Sequence, residues 1–156
     1  LFSDTVGNNI SFGKDGKSNL KDIEFAANKA VVHENIKDFT KGYETIVGER
    51  GVTLSGGQKQ RISIARAILK SPKILIFDDC LSAVDTETEE KILTNLKQVM
   101  ENKTTIIISH RISSIQHADH IIMIENGKII EQGDHDKLIK HQGKYESLYQ
   151  KQLIED

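Results

Sequence analysis

The sequence predicts an α/β fold with a parallel sheet, and two observations carry that prediction. First, Ile74-Leu75-Ile76-Phe77 is a continuous apolar run of strand length, and Thr104 to Ser109, centred on Ile106-Ile107-Ile108, is a second strand-length segment. Such runs read as fully buried parallel strands. Second, a segment of helical period separates them, a helical region precedes them and a hairpin follows. Strands alternating with helices in this order make a parallel sheet.

The elements follow in order. Residues 1–17, rich in Gly and Asn, read as loop with at most one short helix. From Ser18 to about Thr40, Leu20, Ile23, Phe25, Ala26, Ala27, Val31, Val32, Ile36 and Phe39 are spaced for one or two amphipathic helices. Gly42 to Thr53 reads as loop. A strong helix is predicted from about Ser55 to Leu69, with Ile62, Ala65, Ile68 and Leu69 on one face. It must stop near Ser71, because Pro72 disfavours helix at the residue before it. After the first strand, Thr86 and Glu89 make a capping box for a helix that carries Ile92, Leu93, Leu96, Val99 and Met100 inward. A short helix through Ile112 and Ile115 follows the second strand. Asn126-Gly127 between Ile121–Ile124 and Ile129–Ile130 is a hairpin signal. The C-terminus is helical around Leu138, Ile139, Tyr145, Leu148, Tyr149 and Leu153.

Composition narrows the function. The 156 residues are enough for one domain with a core. No apolar run approaches the roughly 18 residues of a membrane helix, and the opening residues do not read as a signal peptide. A formal net charge of −2 argues against a dedicated nucleic-acid binder. The single Cys80 cannot form an internal disulfide, which fits a reducing compartment, and it reads as a small buried residue rather than a reactive thiol. The chain opens at Leu1 without a methionine, which reads as a piece of something longer.

Both predicted strands end in polar residues, Asp78 and Asp79 on one, Ser109 and His110 on the other. Ligands of open parallel sheets bind at the carboxyl ends of strands. An apolar strand closed by Asp is the Walker B pattern, whose carboxylate holds Mg²⁺ beside a nucleotide; alone, it reads more readily as an Asp simply ending a strand. Leu54-Ser55-Gly56-Gly57-Gln58 opens the long helix. A helix N-terminus with bare glycines suits an anion, and an ordinary cap by Ser55 is the plainer alternative.

Together these segments resemble the ATP-binding cassette (ABC) ATPases. Leu54–Gln58, followed by Lys59-Gln60-Arg61, is similar to the family's signature motif. Ile74–Asp78 matches its Walker B strand, Ser82-Ala83-Val84-Asp85 its D-loop and His110 its switch histidine. Glu49-Arg50-Gly51 resembles the exporter loop that touches the membrane domain, and Val6–Ile10 the stretch just past the Q-loop. Glu125–Gly133 with His135 resembles the C-terminal region of exporter nucleotide-binding domains. The resemblance covers nearly the whole chain.

It implies a partial P-loop NTPase (RecA-like) core plus the ABC helical subdomain, with a C-terminal hairpin and helices. Residues 1–156 would form a truncated nucleotide-binding domain, with about 15–70 as helical subdomain and about 71–156 as the C-terminal half of the catalytic core. Ser11–Ser18 mimics the phosphate loop G-x-x-x-x-G-K-[ST] in all but its first glycine. It lacks a preceding apolar strand, and Lys17 lies only 37 residues before Leu54. It therefore reads as a decoy, and Walker A and the Q-loop are expected upstream of Leu1.

By resemblance, ATP and Mg²⁺ are the cofactors. Asp78 would hold the metal, and Asp79 and His110 would be catalytic. Ser55, Gly56, Gly57 and Gln58 would bind nucleotide on a second nucleotide-binding domain, with Asp85 linking the two sites. The other partner would be the transporter's own transmembrane domain, with no nucleic acid. The parent would sit at the cytoplasmic side of the cell membrane, and the fragment would be soluble and inactive alone. Asp79 stands where the family usually has Glu, and a carboxylate withdrawn by about 1.5 Å predicts a slow site. The expected role is therefore the degenerate half of a heterodimeric exporter; a homodimer that tolerates Asp is the alternative. A soluble ABC-type ATPase of DNA repair or chromosome maintenance and a nucleotide-free interaction fragment are the competing functions. His33, His117, His120, His135 and His141 lack metal-ligand spacing, and Lys59, Arg61, Arg66 and Lys70 read as a solvated basic face.

Overall fold

The computed structural model describes residues 1–14, 18–48 and 51–155. Asp15, Gly16 and Lys17 of the phosphate-loop mimic, and Glu49 and Arg50 of the exporter-like loop, lie outside the described residues. The chain divides into two compact units, Leu1–Ile106 and Ile107–Asp156.

The first unit begins with β1 (Asp4–Thr5) and α1 (Val6–Ser11), which starts on the Thr5 side chain as cap. The element before the phosphate-loop mimic is thus a helix. The amphipathic region resolves into α2 (Leu20–Lys29) and α3 (His33–Lys37). Ile23, Ala26, Ala27 and Ile36 are buried, whereas Leu20 and Phe25 are exposed despite their helical spacing. A 3-10 turn (Gly42–Glu44) leads to β2 (Ile46–Val47), which pairs antiparallel with β1. The long helix α4 (Gly56–Lys70) buries Ile62, Ala65, Ile68 and Leu69 and packs against α1 and α2. It ends at Ser71 in the left-handed region (φ 46°), one residue before Pro72.

Next come β3 (Ile74–Asp78), α5 (Thr86–Met100) and β4 (Thr104–Ile108). β3 and β4 form one sheet, and the Thr104 N–H donates to the Lys73 carbonyl at 3.1 Å. That bond joins the starting ends of both strands, so they run parallel across the α5 crossover. Neither strand is buried on both faces as its apolar run predicts. Leu75 and Phe77 are 2% and 4% exposed, but Ile74 and Ile76 are 59% and 62% exposed. Successive side chains of a strand point to opposite faces, and only the Leu75–Phe77 face is covered. The helix after β3 is also capped differently from the prediction. Asp85, not Thr86, is the N-cap of α5, and its carboxylate accepts the Thr88 N–H at 2.9 Å. An ionised acceptor makes the stronger bond and sits at the positive end of the helix dipole.

The second unit holds α6 (Ile112–Ile115), β5 (Ile121–Glu125), β6 (Lys128–Gly133), α7 (His135–His141) and α8 (Lys144–Glu155). β5 and β6 form the expected hairpin, antiparallel with a bulge after Met123. Asn126 and Gly127 both have positive φ (49° and 73°), as a tight primed turn requires. Ile112, Ile121, Leu138 and Tyr145 form the core, packed by Leu148 and Tyr149 of α8. Among the described residues, no helix is long and apolar enough to cross a membrane.

Candidate nucleotide-linked site

Ser55 is the N-cap of α4. Its Oγ accepts the Gln58 N–H at 3.1 Å, while Gln58 Oε1 accepts the Ser55 N–H at 2.9 Å. This reciprocal capping box satisfies two terminal groups and presets the first turn. The capping that sequence offered as the plain alternative to an anion site is therefore present. It leaves the first-turn N–H groups of Gly56 and Gly57 without intrahelical acceptors, as in any helix start.

Gly57 has a second reason to be glycine. A Cβ there would lie 2.7 Å from the Ala83 carbonyl oxygen. The loop after β3 thus closes directly onto the start of α4. Gln60, one turn further on, secures the approach. Its Oε1 accepts the Ala83 N–H at 2.9 Å, and its Nε2 donates to Ser82 Oγ at 3.0 Å and to the Asp79 carbonyl at 3.3 Å. Sequence reasoning passed over Gln60; its only signal was that it follows Gln58 by two residues, inside the conspicuous run.

Asp78 ends β3 and is exposed. Asp79 has φ 46°, a left-handed conformation that Asp tolerates better than most residues. The Asp79 carbonyl also accepts Ser82 Oγ–H at 3.1 Å. Cys80 is half-buried, and burial pushes its thiol up to about 11, so it stays protonated at neutral pH. Hydrogen bonds from the Thr88 backbone and side chain hold the exposed Asp85 carboxyl below its usual range, and Arg61 adds a smaller attraction.

The structure therefore brings Ser55, Gly56, Gly57 and Gln58 against the loop that links Asp78 and Asp79 to Asp85. His110 belongs to the second unit, where its carbonyl accepts Gln152 Nε2–H at 2.7 Å.

The supposed solvated basic face is only partly so. Lys59 and Lys70 are exposed. Arg61 is half-buried and donates to the Gly57 and Val31 carbonyls. Arg66 donates to the Asn9 carbonyl at 2.7 Å and lies over the Phe2 and Phe12 rings. Burial lowers both guanidinium pKa values. His33 and His135 bond the hydroxyls of Tyr43 and Tyr145. No group of three or more His, Cys, Asp or Glu able to hold a metal occurs among the described residues. Asp78 alone still suits Mg²⁺, which binds through one or two carboxylates plus water and phosphate oxygens rather than in a protein cage.

The family model described as ABC transporter matches residues 3–82. The chain is 54% identical over 156 residues to the multidrug resistance-like ATP-binding protein MdlA of Buchnera aphidicola subsp. Schizaphis graminum, covering 99% of this chain and 27% of that relative. It is 46% identical to an ATP-dependent lipid A-core flippase of Syntrophus aciditrophicus, covering 100% of this chain and 26% of the relative. A solved bacterial Atm1-family ABC exporter with ATP bound is similar at a TM-score of 0.90 and 44% identity, over 97% of this chain and 27% of that one. The chain thus spans about a quarter of the length of the relatives it matches. On its motifs, its fold and these likenesses, the chain belongs to the ABC transporter family.

Proposed function

We propose that this chain works as part of the ATP-binding and ATPase domain of an ABC exporter, at the cytoplasmic side of a membrane, coupling MgATP binding and hydrolysis to transport. The observation that carries the reading is the Gly57–Ala83 approach, locked by Gln60. It makes one block of the signature helix start and the loop following the Walker B strand. A sandwiched nucleotide would contact the Ser55–Gln58 edge from a second nucleotide-binding domain, while Asp78 and Asp79 serve this chain's own site. In that arrangement residues about 15–70 are the helical subdomain, and residues about 71–156 belong to the catalytic core.

When bound, the nucleotide with its Mg²⁺ supplies the reacting phosphate and the charge neutralisation. Asp78 would hold the metal. Asp79 would orient water with a shortened reach, and His110 would contact the phosphate end. The exposed, readily ionised Asp85 would tie the two sites together across the dimer. The Glu-to-Asp departure supports a heterodimer in which this chain's own site is the slow one.

The test is MgATP turnover by the full-length transporter. Asp78→Asn in this chain is expected to lower hydrolysis at its own site by about 10²-fold or more. The same variant should leave the partner's site within about twofold in single-turnover measurements. Unchanged hydrolysis at both sites would refute the reading.

A further inference from the structure

We propose that Gln152, near the end of α8, is a positioning residue that sets the backbone of the His110 loop and so the aim of the His110 side chain. The proposal rests on the reading of His110 as the switch residue. Tyr145, Leu148, Tyr149 and Gln152 fall at helical spacing along one face of α8. Tyr145 is in the core of the second unit, with Leu148 and Tyr149 packed on it beside Ile112. The next position on that face is an amide instead of an apolar side chain, and both of its polar atoms are used.

Gln152 Nε2 donates to the His110 carbonyl at 2.7 Å, and Gln152 Oε1 accepts the Ile112 N–H at 2.8 Å. A carbonyl can only accept and an N–H can only donate, so the amide orientation is dictated by its partners. Between these two bonds, Ser109 Oγ accepts the Arg111 N–H at 3.0 Å. Three consecutive residues, 110 to 112, are therefore each held by a side chain. The loop needs this support, because Arg111, the N-cap of α6, supplies no side-chain cap. Gln152 acts as that cap from 40 residues away along the chain. The main chain leaving the His110 Cα on its C-terminal side is thus held by three side-chain bonds, and the aim of the side chain depends on them. The C-terminal helix thereby determines how the switch residue meets a nucleotide, and any displacement of α8 is transmitted to it.

The experiment uses the full-length transporter with MgATP and the variants Gln152→Ala, Gln152→Glu, His110→Ala and the double variant Gln152→Ala/His110→Ala. Gln152→Glu keeps size and the acceptor for Ile112 but sets a carboxylate against the His110 carbonyl. Both Gln152 variants are expected to lower single-turnover hydrolysis at this chain's own site, with the partner site disabled, about tenfold while leaving MgATP affinity within about twofold, because misplacement of about 1 Å or less costs turnover, not ground-state binding. The double variant should be no slower than His110→Ala, since the amide acts only through that residue. Amide exchange in the 109–116 segment should accelerate in Gln152→Ala. Wild-type turnover in both Gln152 variants, additive losses in the double variant, or unaltered exchange would each overturn the proposal. If His110→Ala itself left turnover unchanged while exchange still rose, the assignment of His110 would be the part that failed, and the proposal would fall with it.

Discussion

Gln60 Nε2 donates to Ser82 Oγ at 3.0 Å, so a side chain of the signature helix and one of the loop after the Walker B strand share a hydrogen bond across 22 residues of sequence. The same amide also reaches the Asp79 carbonyl and the Ala83 N–H. The start of α4 is therefore coupled through Gln60 to the backbone of Asp79.

Removing that amide should uncouple the two. Gln60→Leu keeps the side-chain volume but leaves the Ala83 N–H without its acceptor. Each lost bond of this kind costs about 1 kcal/mol. The expected outcome is a Tm lowered by a few degrees and a turnover of MgATP reduced about tenfold in the full-length transporter. A variant with wild-type turnover would show that the loop holds its shape without Gln60.

Gly57→Ala tests the close approach itself. An added Cβ 2.7 Å from the Ala83 carbonyl oxygen forces backbone apart. Overpacking of that kind costs about 1–3 kcal/mol, against a helix gain of roughly 0.5–1 kcal/mol for Ala over Gly. Net destabilisation of about 1 kcal/mol is expected in denaturant titration. A stabilised variant would mean that the loop is not seated on α4.

Asp79→Glu restores the reach of the carboxylate by about 1.5 Å and is expected to raise hydrolysis at this chain's own site by about tenfold. The gain is limited by the left-handed backbone at Asp79, which suits Asp better than Glu. Single-turnover assays with the partner site disabled would measure it. No increase would refute the reading of Asp79 as the cause of a slow site.

Alkaline pH should weaken the fold in part through two tyrosines. Burial, with smaller contributions from Glu24 and Glu34, pushes Tyr43 from 10.0 up to about 12; burial and Tyr149 do the same for Tyr145. A pKa raised on folding contributes stability that is fully present below the unfolded value and lost as pH rises through the folded one. Stability is therefore expected to decline between about pH 10 and 12, with tyrosinate absorbance rising in step with loss of helix. Tyr43→Phe and Tyr145→Phe should each flatten that decline, and Tyr145→Phe also removes the hydroxyl partner of His135. A decline as steep in both variants as in the wild type would exclude these tyrosines as its cause.

What the chain's own letters determined was local chemistry. Ser55–Gln58 defines a helix start and a motif together, Pro72 stops α4, Asn126-Gly127 turns the hairpin, and the order of runs makes an α/β crossover. Each depends on residues a few positions apart, where backbone sterics and helix geometry act directly. The tertiary structure decided what depends on distant partners. Within the described residues alone it leaves Ile74 and Ile76 exposed, because burial of a strand face is set by what packs on it and not by its own hydrophobicity. It gave the α5 cap to Asp85 over Thr86, drew Arg61 and Arg66 inward to backbone carbonyls, and fixed the bond partners of Gln60 and Gln152. An amide in a sequence announces no partner; only the folded chain brings a carbonyl and an N–H to within 3 Å of both its ends.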